Sequence, residues 1–281
     1  MRRPIFLSIL LCSATNGSVH AQTVLDGAYI REHVRTQRPL PYTHLREADV
    51  QWHRRVWRVI DLREKINLPL YYPLVPNNGR SSLFDVIKRG LEEGAITAFD
   101  PGVLLKDDDF RRPMMRDEVS SVLHGIDSTW TNSLTDPDSN ILVVSETDVA
   151  TEEVLQYKVK EDWQFDKQRG KVDIRIIGIA PMKQVTSDDG EVIGAAHLFW
   201  LYYPELRYYL ANEEVQISGN VAQRISFEEL FAKRRFSSYV TEVSNVYDRS
   251  LPEYQIGVEA LLSGERIKHD LFSHEHDLWN W

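Results

Sequence analysis

The stretch LQYKVKEDWQF, residues 155–165, decides the fold class because its side chains alternate between two kinds. Large apolar residues stand at every second position, and polar residues fill the positions between them. Glu161 alone interrupts the apolar series. A period of two is typical of a β-strand that turns one face to a core and the other to water.

The residues that follow predict two more strands in antiparallel order. Gly170 is a turn residue, and KVDIRIIGIA, residues 171–180, continues as the second strand. SDDGE, residues 187–191, contains the Asp-Gly pair that is typical of a tight hairpin. VIGAAHLFWLYY, residues 192–203, is almost continuously apolar, which predicts a central strand covered on both faces. The middle of the chain is therefore predicted to form an antiparallel meander.

A helix is predicted before this meander, over DVQWHRRVWRVIDLREKIN at residues 49–67. Asp49 is a suitable N-cap, and Pro69 lies just beyond the stretch, where it would stop the helix. The apolar residues recur at helical spacing: Trp52, Val56, Val59, Ile60 and Ile66.

Two more helical patterns lie between this segment and the meander. One covers residues 82–93, where Ser81 or Ser82 is the cap and Gly94 ends the helix. The other is weaker and runs from Pro113 to a glycine at position 125.

The last third of the chain is predicted to be helical. Pro204 suits the first position of a helix, PELRYYLAN. Ser226 and Glu229 form a capping box, and residues 256–281 continue as a helix with a weak point at Gly264. Helices on both sides of a run of strands define an α+β fold with an antiparallel sheet.

The N-terminus has the three parts of a secretory signal peptide, which we assign to residues 1–21 with cleavage after Ala21. Its apolar run is far shorter than the ~20 residues of a membrane-spanning helix. A large residue, Leu11, precedes Cys12, so lipid attachment to that cysteine is not expected. We expect residues 22–47 to form an extended arm and residues 48–281 a single α+β domain.

Composition limits the partners of the mature chain. Removing the signal leaves 31 basic and 42 acidic residues, a net charge of −11. Such a chain is a poor ligand for nucleic acid or for a bare anionic membrane. The mature protein would contain no cysteine, so we expect an exported protein without disulfides.

The sequence offers no motif for catalysis or for a cofactor. It has no Gly-x-Ser-x-Gly, no Gly-x-Gly-x-x-Gly and no Walker loop. His197 is best explained as a buried structural histidine. We therefore predict no enzyme activity and no cofactor.

Two stretches have some features of metal sites. Asp136–Asn140 places oxygen ligands as in a calcium loop, but Ile141 and Thr147 occupy positions that need glycine and glutamate, so an Asx-rich turn is favoured. The C-terminal stretch HDLFSHEHD lacks His-Glu-x-x-His, and a polar helix end is favoured over zinc. Its histidines are His269, His274 and His276.

Paired tyrosines are the most distinctive feature of the composition, and Leu-Tyr-Tyr-Pro occurs twice. The flanks of the two copies differ, so an internal repeat is not indicated. Single tyrosines most often pack in a core, but tyrosine is also enriched at protein interfaces. The candidate interface residues are Tyr71, Tyr72, Tyr202, Tyr203, Tyr208 and Tyr209.

Several long stretches, in order, resemble the family of the gliding motility protein GldN, called PorN in non-gliding relatives. They are WRVIDLREKINLPLYYP (57–73), FWLYYPELR (199–207), SFEELFAKRRFSSYV (226–240), SNVYDRS (244–250) and EALLSGERIKHDLFSHEHDLW (259–279).

The resemblance implies a periplasmic component of the type IX secretion system, associated with the outer membrane. Members assemble into a ring with the outer-membrane lipoprotein GldK/PorK and contact the periplasmic part of the motor protein GldM/PorM. The family has no recognised catalytic residues. From the residues alone, a periplasmic module that binds a ligand or cell-wall glycan through stacked aromatic rings stays open as an alternative.

Overall fold

The computed structural model describes residues 37–277 apart from 78, 104–106, 133–139, 187–191, 216 and 218–224. All of these residues fall in the unit Arg35–Trp281. The predicted signal peptide, most of the predicted arm and the predicted Asp-Gly turn lie outside them. So does the stretch Asp136–Asn140, except for its last residue, with which a strand begins.

The described residues form eleven strands and seven α-helices. The strands are β1 (Val50–Asp61), β2 (Ala98–Phe99), β3 (His124–Asn132), β4 (Asn140–Asp148), β5 (Val154–Asp166), β6 (Lys171–Thr186), β7 (Val192–His197), β8 (Trp200–Tyr202), β9 (Glu214–Val215), β10 (Ile225–Ser226) and β11 (Tyr239–Val243). The helices are α1 (Leu68–Tyr71), α2 (Leu83–Glu92), α3 (Arg116–Leu123), α4 (Tyr203–Leu210), α5 (Phe227–Ala232), α6 (Leu251–Tyr254) and α7 (Val258–Asp277).

The main sheet is antiparallel and runs in the order β11-β1-β5-β6-β8-β2, with β7 paired to β6 beside this path. Strands β3 and β4 form a separate hairpin, and β9 and β10 form another small sheet. The predicted α+β class and the antiparallel β5–β6–β7 meander are confirmed.

Local signals at helix ends were predicted well. Ser82 caps α2, since its hydroxyl accepts a hydrogen bond from the Asp85 backbone N–H at 3.1 Å, and Gly94 ends that helix with a positive φ of 72°. Ser226 caps α5 in the same way, with the Glu229 N–H at 3.1 Å. These caps form because each hydroxyl satisfies an amide that has no partner inside the helix.

The helix predicted at residues 49–67 is wrong, because the segment forms the long strand β1. From Val56 to Ile60, five consecutive residues are buried. Both faces of this part are covered, because Val56 packs with Leu271 of α7 on one face and Trp57 packs with Trp200 of β8 on the other. The alternation of a strand is therefore hidden. Its β-branched and aromatic residues suit a strand better than a helix. Pro69 does not end a helix but lies in the first turn of the short helix α1.

The single central strand predicted for residues 192–203 is also wrong. The chain forms two short strands, β7 and β8, which pair with different parts of β6. They are separated at Phe199, whose side chain is fully buried in the main core. Gly194 and Ala195 in β7 are exposed, so that part of the run does not lie inside the sheet. The apolar run therefore does not correspond to one element, because its parts lie in different places of the fold.

The last third of the chain is not all helical, because β11 lies within it as an edge strand. Helix α7 runs through Gly264 without a break. A Cβ at Gly264 would lie 2.5 Å from the carbonyl oxygen of Val240 in β11. The glycine is therefore not a weak point, since it lets the helix approach the strand. The helix predicted after Pro113 is present as α3, but β3 begins at His124, so the glycine at position 125 lies in a strand.

Glu161, which interrupts the apolar series of β5, is fully buried. Its carboxylate lies 2.8 Å from the Arg234 guanidinium and 4.0 Å from that of Arg58. It also accepts a hydrogen bond from the Trp163 indole at 3.0 Å. A buried carboxylate requires such partners, which explains its place on the apolar side.

Residues 37–46, at the end of the predicted arm, have no helix or strand and lie against the domain. The Tyr42 ring is 4.1 Å from the Arg207 guanidinium, which also donates a 2.9 Å hydrogen bond to the Leu40 carbonyl. Arg175 donates to the Thr43 carbonyl at 2.6 Å. Burial raises the pKa of the Tyr42 hydroxyl, even though Arg207 opposes this.

Candidate protein-binding surface

Helix α7 is fixed to the sheet along one side. Leu271 is 1% exposed and packs in a cluster with Val56, Val240 and Val243. One turn further on, the His274 ring lies 4.7 Å from the Trp52 ring. Together with the close approach at Gly264, these contacts determine which side of α7 faces solvent.

The outward side of α7 is also apolar. Leu261 and Phe272 are eleven residues apart, which is three helical turns, so they lie on one stripe. Leu261 is 50% exposed and Phe272 is 65% exposed. Between them on this stripe, Glu265 and Lys268 form an exposed ion pair at 3.2 Å. Leu262, on the neighbouring stripe, is 53% exposed.

The exposed apolar residues continue into the chain before α7. Seventeen large hydrophobic side chains are exposed among the described residues, and eight of them lie within residues 246–277. We define the α7 surface as the six that lie on α6, on α7 or between them: Tyr254, Ile256, Val258, Leu261, Leu262 and Phe272. Such a concentration is typical of a protein-binding site.

Two cavities adjoin the α7 surface. One, of about 320 Å³, lies between β11 and the start of α7 and is lined mainly by apolar groups, including Leu251, Ile256 and Leu261. The other, of about 460 Å³, is lined by Tyr254 and by Arg249, among other residues. These hollows give the apolar surface a shape into which side chains of a partner can insert.

The six tyrosines selected from the sequence lie in different environments. Tyr203 is 2% exposed and packs edge-on against Phe231 at 5.8 Å. Tyr202 is partly buried and contacts Phe110 at 5.5 Å. Burial raises the pKa of the Tyr203 hydroxyl well above its ordinary value.

The other four lie nearer the surface. The Tyr71 and Tyr72 rings are 5.0 Å apart, and Tyr72 is 49% exposed. Tyr208 is 58% exposed. Tyr209 donates a hydrogen bond to Glu93 at 3.1 Å. Because Tyr203 is buried, the six rings do not form one common platform, and their role at an interface stays a prediction.

The interface residues predicted from the sequence are all tyrosines and do not include the exposed residues of α7. A signal was available: residues 258–272 carry Val258, Leu261, Leu262, Ile267, Leu271 and Phe272, which cover more than one side of a helix. A helix that is apolar on two sides has a second partner or a buried position.

The described residues contain no group of three or more His, Cys, Asp or Glu side chains placed to hold a metal ion. The His274 ring of the predicted histidine cluster packs at a tilt against the Trp52 ring, and His269 lies 3.4 Å from the Ser273 hydroxyl. Within the same described ranges, no helix has the length and apolar character needed to cross a bilayer.

Taken together, the α+β fold and its exposed apolar helix are typical of the class of proteins that bind other proteins through a helix packed on a sheet. The chain matches the family "Gliding motility associated protein GldN" over residues 45–280 and belongs to that family. The family is a structural component of gliding motility and type IX secretion and is not a known enzyme family. No curated protein matches the chain.

Proposed function

We propose that the protein is a non-enzymatic structural subunit of the type IX secretion and gliding machinery. In this proposal it works in the periplasm and forms a ring with a GldK/PorK-type outer-membrane lipoprotein. It also contacts the periplasmic part of a GldM/PorM-type motor protein. The predicted signal peptide supports the location, and the lipoprotein would keep the subunit at the outer membrane.

The α7 surface is the observation that supports this proposal most strongly. Burying one Leu, Val or Phe side chain contributes about 1.5–3 kcal/mol before the costs of association are subtracted. Several such residues lie on one helix that is itself fixed to the sheet, so little ordering is needed on binding. We therefore assign the α7 surface to contacts within the ring, with the lipoprotein or with a neighbouring copy.

The test is co-expression with the lipoprotein, followed by purification and electron microscopy of the complex. Leu262→Asp places a charge in the α7 surface, where Leu262 is 53% exposed. Val103→Asp is the matched control, because Val103 is fully exposed and lies far from α7 in the sequence. Both variants should melt within a few degrees of the parent protein.

We expect Leu262→Asp to abolish or strongly reduce ring particles, whereas Val103→Asp should leave them unchanged. Normal rings with Leu262→Asp would contradict the role of the α7 surface. Failure of the parent protein to associate with the lipoprotein would contradict the proposed function itself.

A further inference from the structure

A separate cavity of about 360 Å³ lies on the other face of the sheet. Trp57 lines it, whereas the neighbouring Val56 packs with α7; adjacent residues in a strand point to opposite faces. The end of β7, Trp200 of β8, the segment leading into α6 and Glu253 of α6 also line it.

The lining of this cavity is strongly acidic. Four carboxylates contribute to it: Asp108, Glu242, Asp248 and Glu253. Lys158 is the lysine in the lining and lies 3.8 Å from Glu242. Behind the wall, Lys160 is 3.0 Å from Asp108. Among the described residues of the lining and the wall behind it, carboxylates outnumber lysines four to two.

The carboxylates are close enough to influence one another. Burial raises the pKa of Glu242, and the charges of Asp248, Asp108 and Glu253 raise it further against the opposing effect of Lys158. The carboxylates of the cavity therefore repel one another, as expected where they outnumber the lysines.

Two indole rings complete the site. The Lys160 ammonium already lies 5.9 Å from the centre of the Trp57 ring, as in a cation–π contact. Trp200 is 1% exposed, and its indole N–H has no hydrogen-bond partner within the described ranges of the chain. A buried donor without a partner is costly, so a ligand with an acceptor group would be favoured here.

The combination of excess negative charge and indole rings selects an organic cation. Anions and nucleotides are disfavoured by the charge. A metal ion is not indicated, since the described part of the chain has no cluster of three suitable ligands. We infer that this cavity binds the side chain of an arginine or lysine on a protein partner, with a main-chain carbonyl of that partner accepting from Trp200.

This inference does not rest on the proposed ring function, and its test uses different residues and a different ligand. The probe is N-acetyl-arginine methylamide, which carries a guanidinium and two carbonyls without charged ends. The matched probe is the citrulline derivative, which has nearly the same shape without the charge. Binding to the purified full chain is followed by the NMR signals of the Trp57 and Trp200 indole N–H groups.

We expect the arginine probe to shift both indole signals in a saturable way, with an affinity in the millimolar range that weakens as salt is added. The citrulline probe should bind several-fold more weakly. Glu242→Gln and Asp248→Asn should each weaken arginine binding by about two- to fivefold. Glu259→Gln, the same change at an exposed position on α7, should leave it unchanged.

Three results would overturn the inference. One is the absence of any indole shift at high concentrations of the arginine probe. Another is equal binding of the arginine and citrulline probes. The third is equal weakening by Glu242→Gln and Glu259→Gln, which would mean that the effect comes from net charge and not from the cavity.

Discussion

Gly264→Ala tests how α7 is held against the sheet, because two interpretations of this glycine predict opposite signs. If Gly264 were only a weak point in a helix, alanine would stabilise the protein by about 1 kcal/mol. The structure instead places a Cβ at this position 2.5 Å from the Val240 carbonyl oxygen. That oxygen belongs to the backbone of β11 and cannot rotate away.

The size of the effect follows from the displacement that alanine requires. Cβ contacts under 3.0 Å are essentially never seen, so α7 must move away from β11 by at least about 0.5 Å. A gap of this size forfeits roughly a quarter of the dispersion energy of the contacts around it, including those of Leu271. Overpacking of this kind typically costs about 1–3 kcal/mol. After the gain in helix propensity, we expect the free energy of unfolding to fall by about 1–2 kcal/mol.

Urea unfolding followed by circular dichroism measures this difference. Gly194→Ala is the control, because a Cβ at Gly194 in β7 has no atom within 4 Å and the backbone is not in the left-handed region. Its free energy of unfolding should change by less than about 0.5 kcal/mol. A Gly264→Ala protein as stable as the parent, or more stable, would refute the packing of α7 on β11.

Three further predictions follow from the buried groups. Tyr203→Ala removes a ring that is 2% exposed and should lower the free energy of unfolding by about 3–5 kcal/mol. Tyr202→Ala removes a partly buried ring and should lower it clearly less. Equal losses in urea unfolding would contradict the placement of the two rings. Glu161→Gln leaves Arg58 and Arg234 without their shared carboxylate and should lower the free energy of unfolding by about 3–5 kcal/mol. Glu265→Gln changes an exposed ion pair and should lower it by less than about 1 kcal/mol in the same assay. Folding raises the pKa of Glu242, so the folded state is stabilised when this carboxyl is protonated. That stabilisation is complete below the ordinary pKa of 4.5 and is lost as pH rises through the pKa of the folded state. Glu242→Gln should therefore raise the melting temperature at neutral pH relative to the parent protein but not in acid, and a lower melting temperature at neutral pH would contradict this.

Much of the fold was predictable where one local signal dominates. Strand β5 alternates between apolar and polar residues, and α2 and α5 each begin at a serine, a residue that is strongly preferred as an N-cap. Such signals need no knowledge of the neighbouring elements. Even the exception in β5 was informative, because an acidic residue on an apolar face implies a buried partner.

The wrong predictions of secondary structure arose where packing on both sides of a segment hides the period of its apolar residues. Strand β1 lies between two other strands, and its run from Val56 to Ile60 is buried on both faces. The apolar positions then fit helical spacing as well as they fit a strand. Residues 192–203 are apolar throughout, yet one part pairs at the margin of the sheet and another enters the core. Strand β11 has only five residues and gave no clear pattern among its helical neighbours.

The candidate surface was harder to predict than the fold. The sequence shows that α7 is apolar on more than one side, but which side packs on the sheet depends on the contacts of Gly264 and Leu271. Exposure is a tertiary property, and paired tyrosines do not reveal it. The cavity beside Trp57 was also out of reach, because its carboxylates come from residues 108–253 and are brought together by the sheet.

The most direct test of the assembly role is site-specific photo-crosslinking in cells that carry the secretion system. A photoreactive amino acid replaces Leu262 in the α7 surface, and in a second strain it replaces the fully exposed Val103. Crosslinked products are identified by mass spectrometry. We expect position 262 to yield crosslinks to the GldK/PorK-type lipoprotein or to a second copy of this chain, and position 103 to yield none or far fewer. If position 262 gives neither product while the strain still secretes normally, the α7 surface is not an assembly contact and the central claim is contradicted.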